Sequence, residues 1–177
     1  MDDATLKELR ALVDLDDNLV YEAVKAGSVA DLSDEEQLRA KAMQEHMHLK
    51  HVHNALEFAD LREGELYEVT TAEGNTVNPM LHVNMHAGVK GQIEQDAAVR
   101  AAFEKMVATG TSAHHAEHVL CAMLSELMWE SSHALETGGD PDKPRRIYDR
   151  KLKKLTQDWA FRKKLVRQFS ADHSVFE

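Results

Sequence analysis

The chain has 177 residues, 43% of them apolar, with three prolines and eight glycines, a make-up that excludes fibrous and disordered classes and fits one folded domain. Its formal charge is −10, and its single cysteine, Cys121, excludes an internal disulfide framework and fits a reducing compartment. No run approaches the roughly 18 apolar residues of a membrane span, and the acidic start Met1-Asp2-Asp3 lacks the basic opening of a secretory signal, so a cytoplasmic protein with no membrane partner is expected.

Helix follows helix along the chain. In an N-terminal segment, 1–32, residues 4–14 and 17–26 carry helix-compatible apolar spacing that stops at Gly27. Ser33-Asp34-Glu35-Glu36 is a capping-box pattern. It opens a histidine-rich core, 33–137, and predicts a helix of about 25 residues to about Asp60, with Leu38, Ala42, Leu49, Val52 and Leu56 on the buried stripe. Residues 64–78 interrupt the pattern: Gly64 and Glu73-Gly74-Asn75 bracket the β-prone run Leu66 to Thr71, which predicts a loop or one small hairpin.

Asn78-Pro79 restarts a helix, because Asn is a favoured N-cap and Pro is tolerated in the first turn. That helix is expected to reach about Gln92, and a shorter one covers about 96–108 before Gly110. Thr111-Ser112 opens another, to about Thr137, whose stretch Val119 to Trp129 is apolar on nearly all sides and reads as the central helix. After Pro141 and Pro144 a last amphipathic helix spans about 145–169, with Tyr148, Leu152, Leu155, Trp159, Val166 and Phe169 on one face. The pattern predicts a single all-α domain over 1–177, a bundle of about five to six helices with a small insertion at about 64–78.

Charge is unevenly distributed. Residues 1–141 hold 10 Lys and Arg against 26 Asp and Glu, whereas 142–169 hold 11 against 3. The basic C-terminal helix carries no nucleic-acid motif, so it reads as a surface for a second copy of the chain or an acidic protein partner.

The histidines carry the chemistry. His82 and His86 are four apart, as are His114 and His118, and residues at that spacing share a helix face. At 100° per residue His82, His86, Val89 and Ile93 form one stripe, and His114, His118, Cys121 and Ser125 another. Unpaired polar groups in apolar stripes cost on the order of 1–3 kcal/mol each. A shared metal satisfies all four rings; hydrogen bonds to backbone or carboxylates are the alternative. On one continuous helix His46, His53 and Glu57 fall within about 40° of one another. His53 and Glu57 are read as further ligands and His46 as an alternative or supporting one, while His48 and His51 point elsewhere, His51 to solvent. Glu117, Glu126 and Glu130 are candidates to orient ligating imidazoles, and Cys121 reads as packing. The donor set suits iron, with manganese or zinc as alternatives.

The blocks Asn78-Pro79-Met80-Leu81-His82-Val83-Asn84-Met85-His86, His114-His115-Ala116-Glu117-His118 and Leu124-Ser125-Glu126-Leu127-Met128-Trp129-Glu130, with His53-Asn54-Ala55-Leu56-Glu57 upstream, resemble a bacterial family called domain of unknown function 1841. The resemblance covers roughly 45–137, and His115 stands where the family pattern has an acidic residue. It implies a shared site and no particular reaction. A looser similarity is to hemerythrin-like bundles, where such histidine elements hold two irons, although the final H-x-x-x-x-D element has no counterpart here. His114 to His118 also matches the zinc-protease pattern H-x-x-E-H, which is too short to carry an assignment. Two functions follow. One is a metal-binding helical protein with a mono- or dinuclear non-haem site, in redox, oxygen-related or sensing chemistry. The other is a structural or interaction module whose histidines are bonded internally, with no metal and no catalysis.

Overall fold

A computed structural model describes residues 17–58, 67–70, 74 and 76–169. The fold class is an all-α helical bundle. Residues 17–26 form α1, and a 3-10 turn, Val29–Asp31, leads to α2 (Asp34–His46) and α3 (Lys50–Glu57). Two short strands, β1 (Val69–Thr70) and β2 (Thr76–Val77), precede α4 (Pro79–Gln95), α5 (Ala97–Ala108), α6 (Ala113–Thr137), α7 (Lys143–Gln157) and α8 (Trp159–Gln168). The helix expected over 4–14 lies outside the described residues.

Local chemistry explains most boundaries. The Ser33 hydroxyl accepts from the Glu36 amide at 3.4 Å while the Glu36 carboxylate accepts from the Ser33 amide at 2.8 Å, the expected capping box. Asn78 Oδ1 accepts from the Met80 and Leu81 amides at 2.8 and 3.1 Å and so starts α4. Gly138 closes α6 at φ 69°, a left-handed position that costs glycine nothing. The expected hairpin forms with Val69 opposite Val77 and Thr70 opposite Thr76.

Three expectations need correction. The helix predicted from Ser33 to about Asp60 is two helices, because Leu49 is extended (φ −79°, ψ 122°) and starts α3 afresh. Packing explains it: Leu49, Val52 and Leu56 are 4% exposed or less, and tertiary burial outweighs weak local propensity. The last helix also divides, because the Asp158 carboxylate accepts from the Phe161 amide at 3.0 Å and caps α8. Trp159 consequently leaves the apolar face of α7 and is 62% exposed. Within α6, Val119, Leu120 and Met123 are buried, but Met128 and Trp129 are 54% and 63% exposed, so only the first part of that apolar stretch is core.

Two compact units divide between Ala87 and Gly88, inside α4. In the first, Val20, Tyr21, Ala40, Ala42, Met43, Leu49, Val52, Leu56 and Val83 form one core. In the second, Val89, Val99, Ala102 and Met106 pack with Ala116, Val119, Leu120 and Met123 of α6 and with Tyr148, Leu152 and Leu155 of α7. Among the described residues no helix is long and apolar enough to cross a membrane.

Asp96 joins helix start to tertiary contact in the second unit. Its Oδ1 accepts from the Ala98 and Val99 amides at 2.8 and 3.3 Å, and its Oδ2 accepts from Arg145 at 3.2 Å. Burial pushes this carboxyl up, but the two amides and Arg145 prevail and hold it below its ordinary value. Asp96→Ala is expected to lower stability by about 1 kcal/mol in urea denaturation at neutral pH. A carboxyl with a depressed folded pKa contributes its full stability above about pH 4 and loses it as the pH falls through the folded value. The difference between wild type and variant is therefore expected to shrink in acid; a constant difference from pH 7 to pH 2 would exclude this account.

Candidate functional site

In the first unit three imidazoles meet. His46 comes from the last turn of α2, and His82 and His86 from successive turns of α4. His46 and His86 are fully buried and His82 is half-buried. Ring centroids lie 4.5 Å apart for His46 and His86, 4.8 Å for His82 and His86, and 5.0 Å for His46 and His82. One ring nitrogen from each lies within 4.8 Å of the others.

The His46 tautomer follows from its hydrogen bond. Its Nδ1 lies 2.7 Å from the Ala42 carbonyl oxygen. A carbonyl only accepts, so Nδ1 carries the proton and Nε2 holds a lone pair in the neutral ring. That arrangement orients metal-ligating histidines in general. Bonds of about 2.0–2.1 Å place two nitrogens about 3.3 Å apart around a tetrahedral ion, against separations of up to 4.8 Å in this group.

His53 and Glu57 belong to a different surface. His53 is exposed. Glu57 accepts from the Tyr21 hydroxyl at 2.6 Å and lies 3.6 Å from Lys25 Nζ. The Tyr21 bond first, then the Lys25 charge, hold the Glu57 carboxyl below its usual range, while burial and the same bond push Tyr21 up to about 12. His48 is exposed, whereas His51 is half-buried, its Nδ1 2.9 Å from the Tyr67 hydroxyl; the expectation that His51 faces solvent is corrected.

In the second unit His114 and His118 place their Nε2 atoms 3.0 Å apart, with ring planes at 80°. Both are half-buried on α6. Between them in sequence, Glu117 is buried and accepts from Lys90 Nζ at 2.8 Å; each residue is 7% exposed. Glu126 is paired with Lys151, and Glu130 lines a cavity of about 170 Å³ with Lys143 and Lys151.

A family model described as a domain of unknown function (DUF1841) matches residues 19–149. The chain belongs to this family. No curated protein and no solved structure matches it, and the likeness to hemerythrin-like bundles finds no support there. The DUF1841 match is wider than the span of residues that first carried the resemblance. It takes in both histidine groups together with Lys90 and Glu117, and it ends before α8.

Sequence periodicity does not single out Lys90, although it continues the four-residue series His82, His86, Lys90 along α4; its buried place depends on Glu117 of another helix. The place of His46 likewise depends on the break at Leu49, which no breaker residue marks in the sequence. Cys121, one turn from His118, is half-buried, and burial first, then the Glu117 charge, push its thiol up to about 12. Thiolate is the reactive form, so at pH 8 the folded protein is expected to resist iodoacetamide for a period in which the denatured chain, with a thiol near 8.5, is fully alkylated. Mass spectrometry reads the difference; equal rates would contradict the assigned environment.

Proposed function

We propose that this chain is a metal-binding helical protein, with His46, His82 and His86 holding a non-haem transition metal in its first unit. The observation that carries the reading is the convergence of three ring nitrogens within 4.8 Å, from two helices, with the His46 ring turned by its bond to the Ala42 carbonyl. Three imidazoles suit iron or zinc, whereas manganese prefers the carboxylate oxygens this group lacks. They leave further coordination positions for an external ligand, which is the requirement of oxygen-related, redox or sensing chemistry. His114 and His118 offer a second pair of donors in the other unit. His53 and Glu57, placed among the ligands by helical phase alone, have no part in this proposal, because Glu57 is committed to Tyr21 and Lys25.

The test is elemental analysis with an optical spectrum on protein purified without a metal-affinity tag. Wild type is expected to carry close to one metal ion or more per chain. His86→Ala is expected to lose at least half of it, while His48→Ala, at an exposed position, retains it. Because metal binds the folded state, chelation is expected to lower the melting temperature of wild type and to leave His86→Ala nearly unchanged. Metal-free wild type, insensitive to added ions and chelators, would favour the second reading. The histidines would then form an internally bonded core, of which the His46–Ala42 bond is one member, in an interaction module.

A further inference from the structure

The last helix, α8, carries Arg162, Lys163, Lys164 and Arg167 and no acidic side chain. Residues 159, 162, 163 and 167 recur at the spacing of one helix face. Trp159, Arg162, Lys163 and Arg167 accordingly line one cavity of about 510 Å³, whose wall also includes the half-buried His115 and the turn 109–112. Trp159 is largely exposed, with Lys163 Nζ 4.8 Å from its ring centroid. No carboxylate lines this space, and among the described residues none is paired with Arg162, Lys163 or Arg167.

Arg162 decides the sign of the ligand that suits the cavity. It is 5% exposed. Its Nη1 donates to the carbonyl oxygens of Leu155 and Thr156 at 2.5 and 3.5 Å, near the C-terminal end of α7. Those carbonyls hold one edge of the guanidinium and offset part of its charge, which deprotonation does not remove in a protein. Its Nε–H and Nη2–H groups donate to no described residue, and neither nitrogen is sealed from solvent. A buried charge without an opposite one is costly, and an anion in the cavity offsets that cost.

We propose that this cavity binds the phosphate group of a small organic ester, held by Arg162, Lys163 and Arg167, with the flat or aromatic part of the ester against Trp159. Three cations suit a doubly charged group with several oxygens better than a single carboxylate, and the planar guanidinium fork matches phosphate oxygens in pairs. Arg162, fixed by its two carbonyl bonds, orients the phosphate; the exposed Lys163 and Arg167 supply charge. The ester part follows from the room and the indole. A cavity of this volume is in the range of small-molecule sites and larger than one phosphate fills, and an exposed tryptophan offers a face for a second ring. The family match ends at residue 149, so the α8 side of this site lies outside the matched span. The site shares no residue with the group His46, His82 and His86 and stands whether or not that group holds metal.

Equilibrium dialysis of the full-length protein against adenosine monophosphate, inorganic phosphate and adenosine, at about 0.15 M salt, tests this. The nucleotide is expected to bind saturably at one site per chain with a Kd below about 1 mM, inorganic phosphate about fivefold more weakly and adenosine more weakly still. Arg167→Gln is expected to weaken nucleotide binding about fivefold and Arg162→Met about tenfold or more. Arg150→Gln, which removes an exposed charge of α7 outside the cavity, is expected to stay within about twofold of wild type. If Arg162→Met does not fold, Arg162→Lys reads the same contact, because it keeps the charge and loses the fork, and it is expected to weaken binding as well. Bound nucleotide is also expected to change the tryptophan emission of wild type and not that of Trp159→Phe. Inorganic phosphate binding as tightly as the nucleotide overturns the ester assignment. No binding of either, adenosine binding as tightly as its monophosphate, or equal weakening by Arg150→Gln and Arg167→Gln overturns the site itself.

Discussion

Helical phase decides which side chains of the first unit see its interior. Each residue turns the helix by about 100°, so a break of one or two residues redirects everything after it. The extended residue Leu49 is such a break. Before it, Ala42, Met43 and His46 share the buried face of α2; after it, Leu49, Val52, Ala55 and Leu56 occupy that of α3. His46 thereby meets His82 and His86, and His53 and Glu57 turn to the surface. A single continuous helix would have buried a different set of polar groups.

The energetics separate scaffold from candidate site. A fully buried valine or leucine contributes about 1.5–3 kcal/mol, and the second unit has such residues in Val89, Val99, Leu120, Leu152 and Leu155. Polar contacts at its edge, such as the Tyr148 hydroxyl donating to Gln92 at 2.7 Å, contribute about 1 kcal/mol each. The ion pair of Lys90 and Glu117 adds little net stability to that sum, yet removing one partner strands a buried charge. The first unit shows the same division: aliphatic side chains hold α1 to α4 together, while the imidazoles sit among them at a cost that only well-placed partners offset.

Features written in short-range chemistry were legible in the sequence. The capping box at Ser33, the Asn78 start of α4, the Gly138 end of α6 and the hairpin at 69–77 each depend on a few neighbouring residues. The two internal helix breaks were not, for different reasons. At Leu49 no breaker residue exists, and only the position of the core explains the extended conformation. At Asp158 the signal, an aspartate three residues before Phe161, was present but lay within an otherwise unbroken amphipathic run. The pairs His82/His86 and His114/His118 were visible from spacing, because both members lie on one helix. His46 and the Lys90–Glu117 contact depend on how separate helices pack, and periodicity along one helix carries no information about its neighbour.

The two tryptophans bear on how this protein is observed. Trp129 and Trp159 both belong to the second unit and are largely exposed in the folded state, Trp129 stacked on His133 with ring centroids 5.3 Å apart. The chain has no other indole. Intrinsic fluorescence is therefore nearly blind to the first unit, and its emission already resembles that of solvated indole before any unfolding begins. A silent fluorescence trace would say little about whether the helices around His46, His82 and His86 have melted; backbone circular dichroism or an engineered indole in that unit is needed to see them.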